Sequence, residues 1–179
     1  PQNNVFHVTE EFAVDSRDRQ HNARPDIVLF INGIPFAVIE CKAPHIPVDE
    51  AVGQMIRNQQ ADYIPQLFKY AQIVMATNKN TVKYATAGTP KKFWSVWKEQ
   101  DTAFLDSGLA QFVADRVPTE QDRNIISLFR QERLMELTRY FVLFDANVKK
   151  ICRYQQYFAI REIMKTIAQQ DSRGNRQGG

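Results

Sequence analysis

The sequence predicts a mixed α/β fold in which strands come first, one helix crosses among them and further helices follow. Two strongly apolar segments, 26–31 and 35–42, flank an Asn-Gly pair, which is a strong hairpin signal. Residues 48–62 then place apolar side chains at helical spacing, and from Thr119 onward helical patterns dominate. The expected architecture is therefore a mixed sheet with flanking helices.

The N-terminal part of the chain supplies the first strands. Residues 5–14 are strand-like with a polar break, and residues 15–24 are polar and typical of a loop. The segments 26–31 and 35–42 are apolar at successive positions, so both faces of each strand are expected to be covered. This pattern places the two strands near the centre of the sheet.

The helix predicted over 48–62 leads into the rest of the sheet. Its acidic residues come early and its arginine comes late, which suits the helix dipole. Two strands are predicted after it, at 72–77 and 81–87. Residues 89–117 are predicted to be irregular and rich in aromatic side chains.

The C-terminal part is predicted to be helical. The segment Thr119-Glu-Gln-Asp122 resembles a capping box that opens a helix, and helical stretches follow near 130–142 and 150–169. The change in composition predicts a boundary near residue 115. The expected units are a sheet-bearing domain (1–115), a helical segment (116–170) and a disordered polar tail (171–179).

The bulk composition is that of a soluble globular protein. The 179 residues are 44% hydrophobic and 24% charged, and the net charge of +3 is compatible with a polyanion partner without identifying one. The two cysteines form no CxxC pair, which argues against a zinc site and favours a reduced, cytoplasmic setting. No apolar run approaches the ~20 residues of a membrane helix.

Asp26, at the start of one strand, and Glu40 and Lys42, at the end of the next, form the candidate active centre. Glu40 and Lys42 share a face because side chains alternate along a strand. Neighbouring carboxylates repel unless a cation lies between them, and Mg²⁺ prefers carboxylates, carbonyls and waters. The predicted ligands of Mg²⁺ (or Mn²⁺) are Asp26, Glu40 and the backbone carbonyl of Cys41. Lys42 can orient the attacking water or stabilise a phosphate, which predicts a phosphodiesterase.

The register of the hairpin decides whether this centre can form. Regular pairing around a two-residue turn would place Asp26 opposite Ile39, with Glu40 on the other face of the sheet. A three-residue turn with a glycine bulge, or an equivalent bulge, places Asp26 and Glu40 on the same face. We predict the second arrangement.

Each part of this pattern also has an ordinary interpretation. Glu-x-Lys on a strand is most often a solvated face with a weak ion pair, and Asp26 after Pro25 can be a plain turn residue. The full combination, in this order and at this spacing, is more specific than its parts.

The segment Arg24-Pro-Asp-Ile-Val-Leu-Phe-Ile-Asn-Gly-Ile-Pro-Phe-Ala-Val-Ile-Glu-Cys-Lys-Ala-Pro44 resembles the nuclease core of the restriction (R) subunit of type I restriction-modification enzymes, a member of the PD-(D/E)xK nuclease superfamily. The resemblance implies a restriction-endonuclease-like core over residues 1–115. It also implies that Asp26, Glu40 and Lys42 are the catalytic acidic pair and lysine.

The resemblance further implies a Gln-x-x-x-Tyr motif on the helix that follows. The segment Ala51-Val-Gly-Gln-Met-Ile-Arg-Asn58 looks like this motif and places the glutamine at Gln54, which becomes a fourth candidate catalytic residue, although the tyrosine position then holds Asn58. Gln59 with Tyr63 satisfies the same spacing. Both pairs stay open at this point.

Residues 116–170 look like the helical lead-in to a C-terminal motor domain. Arg153-Tyr-Gln-Gln156 resembles an adenine-reading segment, so Gln156 is implied as an adenine contact. No GxxxxGK[ST] loop is present, and ATP is therefore expected to act only in the full-length protein. Candidate contacts to DNA phosphates are Arg17, Arg19 and Arg24, which precede Asp26.

The resemblance implies a cytoplasmic, magnesium-dependent type I site-specific deoxyribonuclease domain with DNA as substrate. Its expected partners are the motor domain of the same chain and the specificity and methyltransferase subunits of a restriction-modification complex, with no membrane involved. Two alternatives stay open. One is a non-catalytic nuclease-fold module that docks the motor to its partners, and the other is a PD-(D/E)xK nuclease of DNA repair or junction processing.

Overall fold

A five-stranded mixed sheet forms the centre of the computed structural model, which describes residues 3–16, 22–113 and 115–169. In order across the sheet, its strands are β1 (Phe6–Glu10), β4 (Ile27–Ile31), β5 (Ile34–Cys41), β6 (Ile73–Thr77) and β7 (Val82–Ala85). Two short strands, β2 (Val14–Asp15) and β3 (Asn22–Ala23), form a small ladder of their own. The predicted mixed α/β class is confirmed.

The directions of the strands bring the ends of three strands together at one edge of the sheet. β1, β4 and β5 pair antiparallel, β5 and β6 pair parallel, and β7 returns antiparallel to β6. A parallel pair needs a crossover, which here contains α1 (Val48–Asn58) and α2 (Pro65–Phe68). The ends of β5 and β6 and the start of β4 therefore lie at the same edge.

The turn between β4 and β5 has two residues. Asn32 and Gly33 have φ values of 53° and 79°, as a type I′ turn requires, and Ile31 pairs with Ile34 across it. The predicted three-residue turn is therefore wrong, because the Asn-Gly pair satisfies the tighter turn by itself.

A bulge in β5 corrects the register that this turn would otherwise impose. Phe30 pairs with Pro35, but Leu29 pairs with Ala37, so Phe36 is the extra residue. One added residue exchanges the faces of all later β5 side chains relative to β4. The sequence analysis predicted either a glycine bulge at the turn or an equivalent bulge, and the bulge at Phe36 is of the second kind. It brings Asp26 and Glu40 to the same face of the sheet.

Both faces of the sheet are covered by hydrophobic clusters. Val38 and Ile39 are neighbours on β5, and they are buried on opposite faces, which explains the apolar character of the whole segment. The first cluster joins the sheet to α1 and α2. The second joins it to three helices: α4 (Glu120–Phe129), α5 (Gln131–Tyr140) and α6 (Tyr154–Ala168). Full burial of one such side chain contributes about 1.5–3 kcal/mol.

The sequence analysis predicted that residues 89–117 are irregular. This prediction is wrong over the part of the stretch that forms a helix. A 3₁₀ turn (Lys91–Phe93) is followed by α3 (Thr102–Phe112). The Asp101 side chain caps α3 by accepting a hydrogen bond from the Phe104 backbone N–H at 3.0 Å.

The capping box at the start of α4 is confirmed. The Thr119 side chain accepts from the Asp122 backbone N–H at 3.3 Å, and the Asp122 carboxylate accepts from the Thr119 N–H at 2.8 Å. After α5, a hairpin that the sequence did not predict is formed by β8 (Val142–Asp145) and β9 (Val148–Ile151), and α6 follows it.

A buried ion pair lies in the second cluster. Arg133 and Glu99 are 2.8 Å apart with side chains only 1% and 3% exposed, and the guanidinium stacks near Trp97 and Tyr157. This cluster contains residues from both sides of position 115. The division of the chain at that position stays a prediction, and the tail 171–179 lies outside the described residues.

In the part of the chain that the structure describes, no helix combines the length and the apolar character required to cross a bilayer.

Candidate active site

Asp26 and Glu40 lie at the same end of neighbouring strands. The last pair in the β4–β5 ladder is Ile27 with Ile39, and Asp26 and Glu40 are the next residue on each strand. Continuing the register places them opposite each other, on one face of the sheet. The structure therefore brings together the two acidic residues that the sequence singled out.

Glu40 is the most deeply buried charged side chain of the site. Its side chain is 1% exposed, and its Oε1 accepts from the Lys42 ammonium at 3.2 Å. Its buried Oε2 has no hydrogen-bond partner among the residues that the structure describes. Burial, and then the charge of Asp26, raise the pKa of Glu40 to about 7, although Lys42 and Gln54 oppose the shift. The Lys42 ammonium therefore offsets only part of the cost of burying the Glu40 charge.

Lys42 is held between the sheet and α1. Its Nζ donates to Gln54 Oε1 at 2.6 Å as well as to Glu40, and its side chain is 24% exposed. The amphipathic helix α1 places Gln54 here, because Val52 and Met55 on the adjoining positions are buried against the sheet. The ammonium is thus oriented while part of it faces solvent.

Of the two glutamines left open by the sequence, Gln54 is the one that contacts Lys42. The Gln59 side chain is used elsewhere, because its Nε2 donates to the Met55 carbonyl and its Oε1 accepts from the Gly88 backbone N–H. Asn58, at the tyrosine position of the Gln54 motif, is buried at 3% exposure.

The backbone of Cys41 faces Asp26. The Cys41 N–H donates to Asp26 Oδ2 at 2.6 Å, and the C=O of a strand residue points to the same side as its N–H. The Cys41 side chain turns away and packs against the second cluster, where burial raises the pKa of its thiol to about 11. The thiol is therefore neutral, and only the backbone of Cys41 faces the site.

The chemistry of these groups fits a hard divalent cation. No cluster of three or more His, Cys, Asp or Glu side chains suited to a metal occurs among the described residues. Ligation would therefore rest on the two carboxylates Asp26 and Glu40, the Cys41 carbonyl and water, which is a ligand set that Mg²⁺ accepts. The unpartnered Oε2 and the raised pKa of Glu40 are both features that a cation would relieve.

No local sequence pattern points to the residues that support this edge of the sheet. Asn78, 7% exposed, donates to the Ile46 carbonyl at 2.8 Å and so holds the loop between β5 and α1. Its Oδ1 accepts from the backbone of Thr81 at 2.8 Å. Gln121 of α4 reaches Thr77 at the end of β6. Such contacts depend on the tertiary fold and leave no local pattern.

Of the remaining candidate residues, the structure describes Arg24 and Gln156. Arg24 is exposed two residues before Asp26, while Arg17 and Arg19 lie outside the described residues. Gln156 is exposed, and its Oε1 accepts from the Arg153 backbone N–H at 2.9 Å, which caps the start of α6.

Comparison with known proteins places the N-terminal half of the chain in a recognised group. The sequence profile of the family described as Type I restriction enzyme R protein N terminus matches residues 1–93. The matched range includes Asp26, Glu40, Lys42 and Gln54.

Three relatives show how much of the chain is similar to known proteins. The HindI type I restriction enzyme endonuclease subunit of Haemophilus influenzae is 27% identical over 186 residues, covering 99% of this chain and 17% of the relative. A Methanocaldococcus jannaschii protein named for the same kind of subunit is 29% identical over 171 residues, covering 89% and 16%. The SsaAORF53P type I restriction enzyme endonuclease subunit of Staphylococcus saprophyticus is 33% identical over 81 residues, covering 45% and 8%. The chain spans less than a fifth of the length of these relatives.

Proposed function

This chain belongs to the family of type I restriction enzyme R proteins, whose N-terminal region it matches, and we propose that it is the DNA-cutting domain of such a subunit. The reaction would be hydrolysis of phosphodiester bonds. The observation that carries the proposal is the convergence of Asp26, Glu40 and Lys42 at one end of the sheet, with a buried carboxylate oxygen that has no partner among the described residues.

Asp26, Glu40 and the Cys41 carbonyl would hold the divalent cation, Mg²⁺ or Mn²⁺. When bound, such an ion lowers the pKa of a coordinated water and neutralises charge on a phosphate. Asp26 and Glu40 also fix the position of the cation relative to the strand edge, because Asp26 is tied to the Cys41 N–H and Glu40 is fully buried.

Lys42 would contact the scissile phosphate or the attacking water. Gln54 and Glu40 hold its ammonium from two sides, at 2.6 and 3.2 Å, so little conformational freedom is left to lose when the substrate binds. A positioned cation stabilises the charge that develops on a phosphate under attack. Gln54 acts here as the residue that orients Lys42.

The wider context is part of the same proposal. In the full-length subunit, cleavage would be coupled to ATP-driven DNA translocation by a motor domain, with specificity and methyltransferase subunits as partners. Arg24, exposed beside Asp26, would contact a DNA phosphate. Gln156 would contact adenine only if it leaves its capping position on α6.

Single substitutions in the full-length subunit, assembled with its partner subunits, test the proposal. Asp26→Asn, Glu40→Gln and Lys42→Ala should each abolish DNA cleavage while ATP-driven translocation continues. Glu132→Gln, at an exposed carboxylate of α5, should leave both activities unchanged and serves as the matched control. Cleavage that persists in all three variants would rule out this site, and the docking-module alternative would then account for the fold.

A further inference from the structure

Helix α6 carries a stripe of exposed apolar side chains. Ile160, Ile163, Met164 and Ile167 are 45%, 57%, 60% and 43% exposed. Their spacing of three, four and seven residues places them along one side of the helix. We call these four residues the α6 stripe. Large apolar side chains scattered singly on a surface are ordinary, but a contiguous row on one helix face marks an interaction surface.

The first turns of α6 are fixed to the body of the domain by a different face. Tyr157 is fully buried beside Trp97 and Phe141. Its hydroxyl donates to Glu136 of α5 at 2.5 Å and accepts from Arg161 at 2.8 Å. The position and direction of α6 are therefore set by packing within the second cluster.

Beyond this anchor, every residue from 159 to 169 is exposed. Polar contacts remain there, such as the ion pair between Arg161 and Glu136 at 3.5 Å, but no apolar side chain of these turns is buried. Short helical segments are marginal in water without a packed face. A stable helix that ends in an apolar row needs a partner along that row.

The observations favour polypeptide of the same subunit as this partner. The family matched is the N-terminal part of R proteins, and relatives that align with 89–99% of this chain are about six times as long. These relatives therefore continue well past the region of α6. A second copy fits less well, because the α6 stripe spans about one heptad, whereas a coiled coil needs at least three.

We propose that the α6 stripe is the docking surface for an apolar face of the polypeptide that follows this region in the full-length R subunit. Helix α6 then belongs to two cores, with Tyr157 in the core of this domain and the α6 stripe in the next one. A displacement of the following domain would reach the sheet through Tyr157 and Trp97. The proposal depends on membership in the R protein family and not on the cleavage chemistry.

Hydrogen exchange and trypsin digestion of the full-length subunit test the proposal. The variant Ile163→Glu/Met164→Glu places two charges in the α6 stripe, and Thr166→Glu, on a different side of the same helix, is the matched control. In the wild type and the control, amides 160–168 should be protected, and trypsin should spare Arg161 and Lys165. In the double variant we expect exchange to accelerate by about tenfold or more, with cleavage at these two residues.

Three outcomes would overturn the proposal: unprotected amides in the wild type, a double variant that behaves like the control, or protection that appears only on dimerisation in sedimentation velocity. Mn²⁺ binding at Glu40, measured on the same samples, separates this result from the proposed function. The double variant should bind Mn²⁺ like the wild type. If no sample binds the cation but the α6 stripe is protected, the docking surface stands and the nuclease proposal fails.

Discussion

Replacement of Glu40 by glutamine tests whether burial of this charge destabilises the cation-free fold. The carboxylate is 1% exposed, and burial followed by the charge of Asp26 raises its pKa from 4.5 to about 7. The folded protein therefore binds this proton more tightly than the unfolded chain does. The corresponding stability is fully present below about pH 4.5 and is lost as the pH rises through about 7, a loss on the order of 3 kcal/mol.

The Glu40→Gln side chain keeps nearly the same shape and carries no charge. Near pH 4.5 we expect the variant and the wild type to have similar free energies of unfolding. Near pH 8 the variant should be more stable by up to about 3 kcal/mol. Urea denaturation over this pH range in the presence of a chelator measures the difference, and carboxylates that titrate in both proteins cancel.

A difference in stability that does not change with pH would refute this reasoning, as would a wild type that is more stable than the variant near pH 8. Either result would mean that the fold already compensates the Glu40 charge. Saturating Mn²⁺ should then be added at the higher pH. It should stabilise the wild type more than the variant, because the cation offsets the buried charge.

Two further substitutions test the supporting structure. Gln54→Ala in the full-length subunit should slow cleavage by about 10–100-fold, because Lys42 loses its 2.6 Å partner, while Mn²⁺ affinity in calorimetry changes less than in a Glu40 variant. Gly108→Ala should destabilise the protein by about 1–3 kcal/mol in urea, because its Cβ would lie 2.5 Å from the Ile126 side chain. Gly53→Ala, in the open on α1, should instead stabilise by up to about 1 kcal/mol, and equal effects at the two glycines would contradict the packing argument.

The sequence was sufficient to place the acidic pair on adjacent strands, because side-chain alternation leaves only two registers to consider. It could not locate the bulge. The turn residues Asn32 and Gly33 follow a local rule, whereas the extra residue, Phe36, is set by how β5 packs between two helical layers. The local rule therefore located the turn at Asn32-Gly33. The requirement that Asp26 and Glu40 share a face predicted that the register changes somewhere in the hairpin, but not at which residue.

The helix α3 was missed because its sequence contains a glycine and lacks a clear periodic pattern. Gly108 lowers helix propensity, but it lies against Ile126 of α4, where an added Cβ would come within 2.5 Å of the isoleucine side chain. The reason for the glycine is thus a contact between α3 and the next helix, α4, which the local pattern of α3 does not show. The same limit applies to the Arg133–Glu99 pair, whose partners are separated by more than thirty positions and share no local motif.

Direct measurement of cation binding tests the central claim, which is that Asp26 and Glu40 share one divalent ion. Titration calorimetry with Mn²⁺ should show a single site in the wild type and an equal site in Glu132→Gln. Asp26→Asn and Glu40→Gln should each weaken that binding by about tenfold or more, since each removes a charged ligand. Equal Mn²⁺ affinity in all four proteins, or no binding to the wild type, would contradict the account.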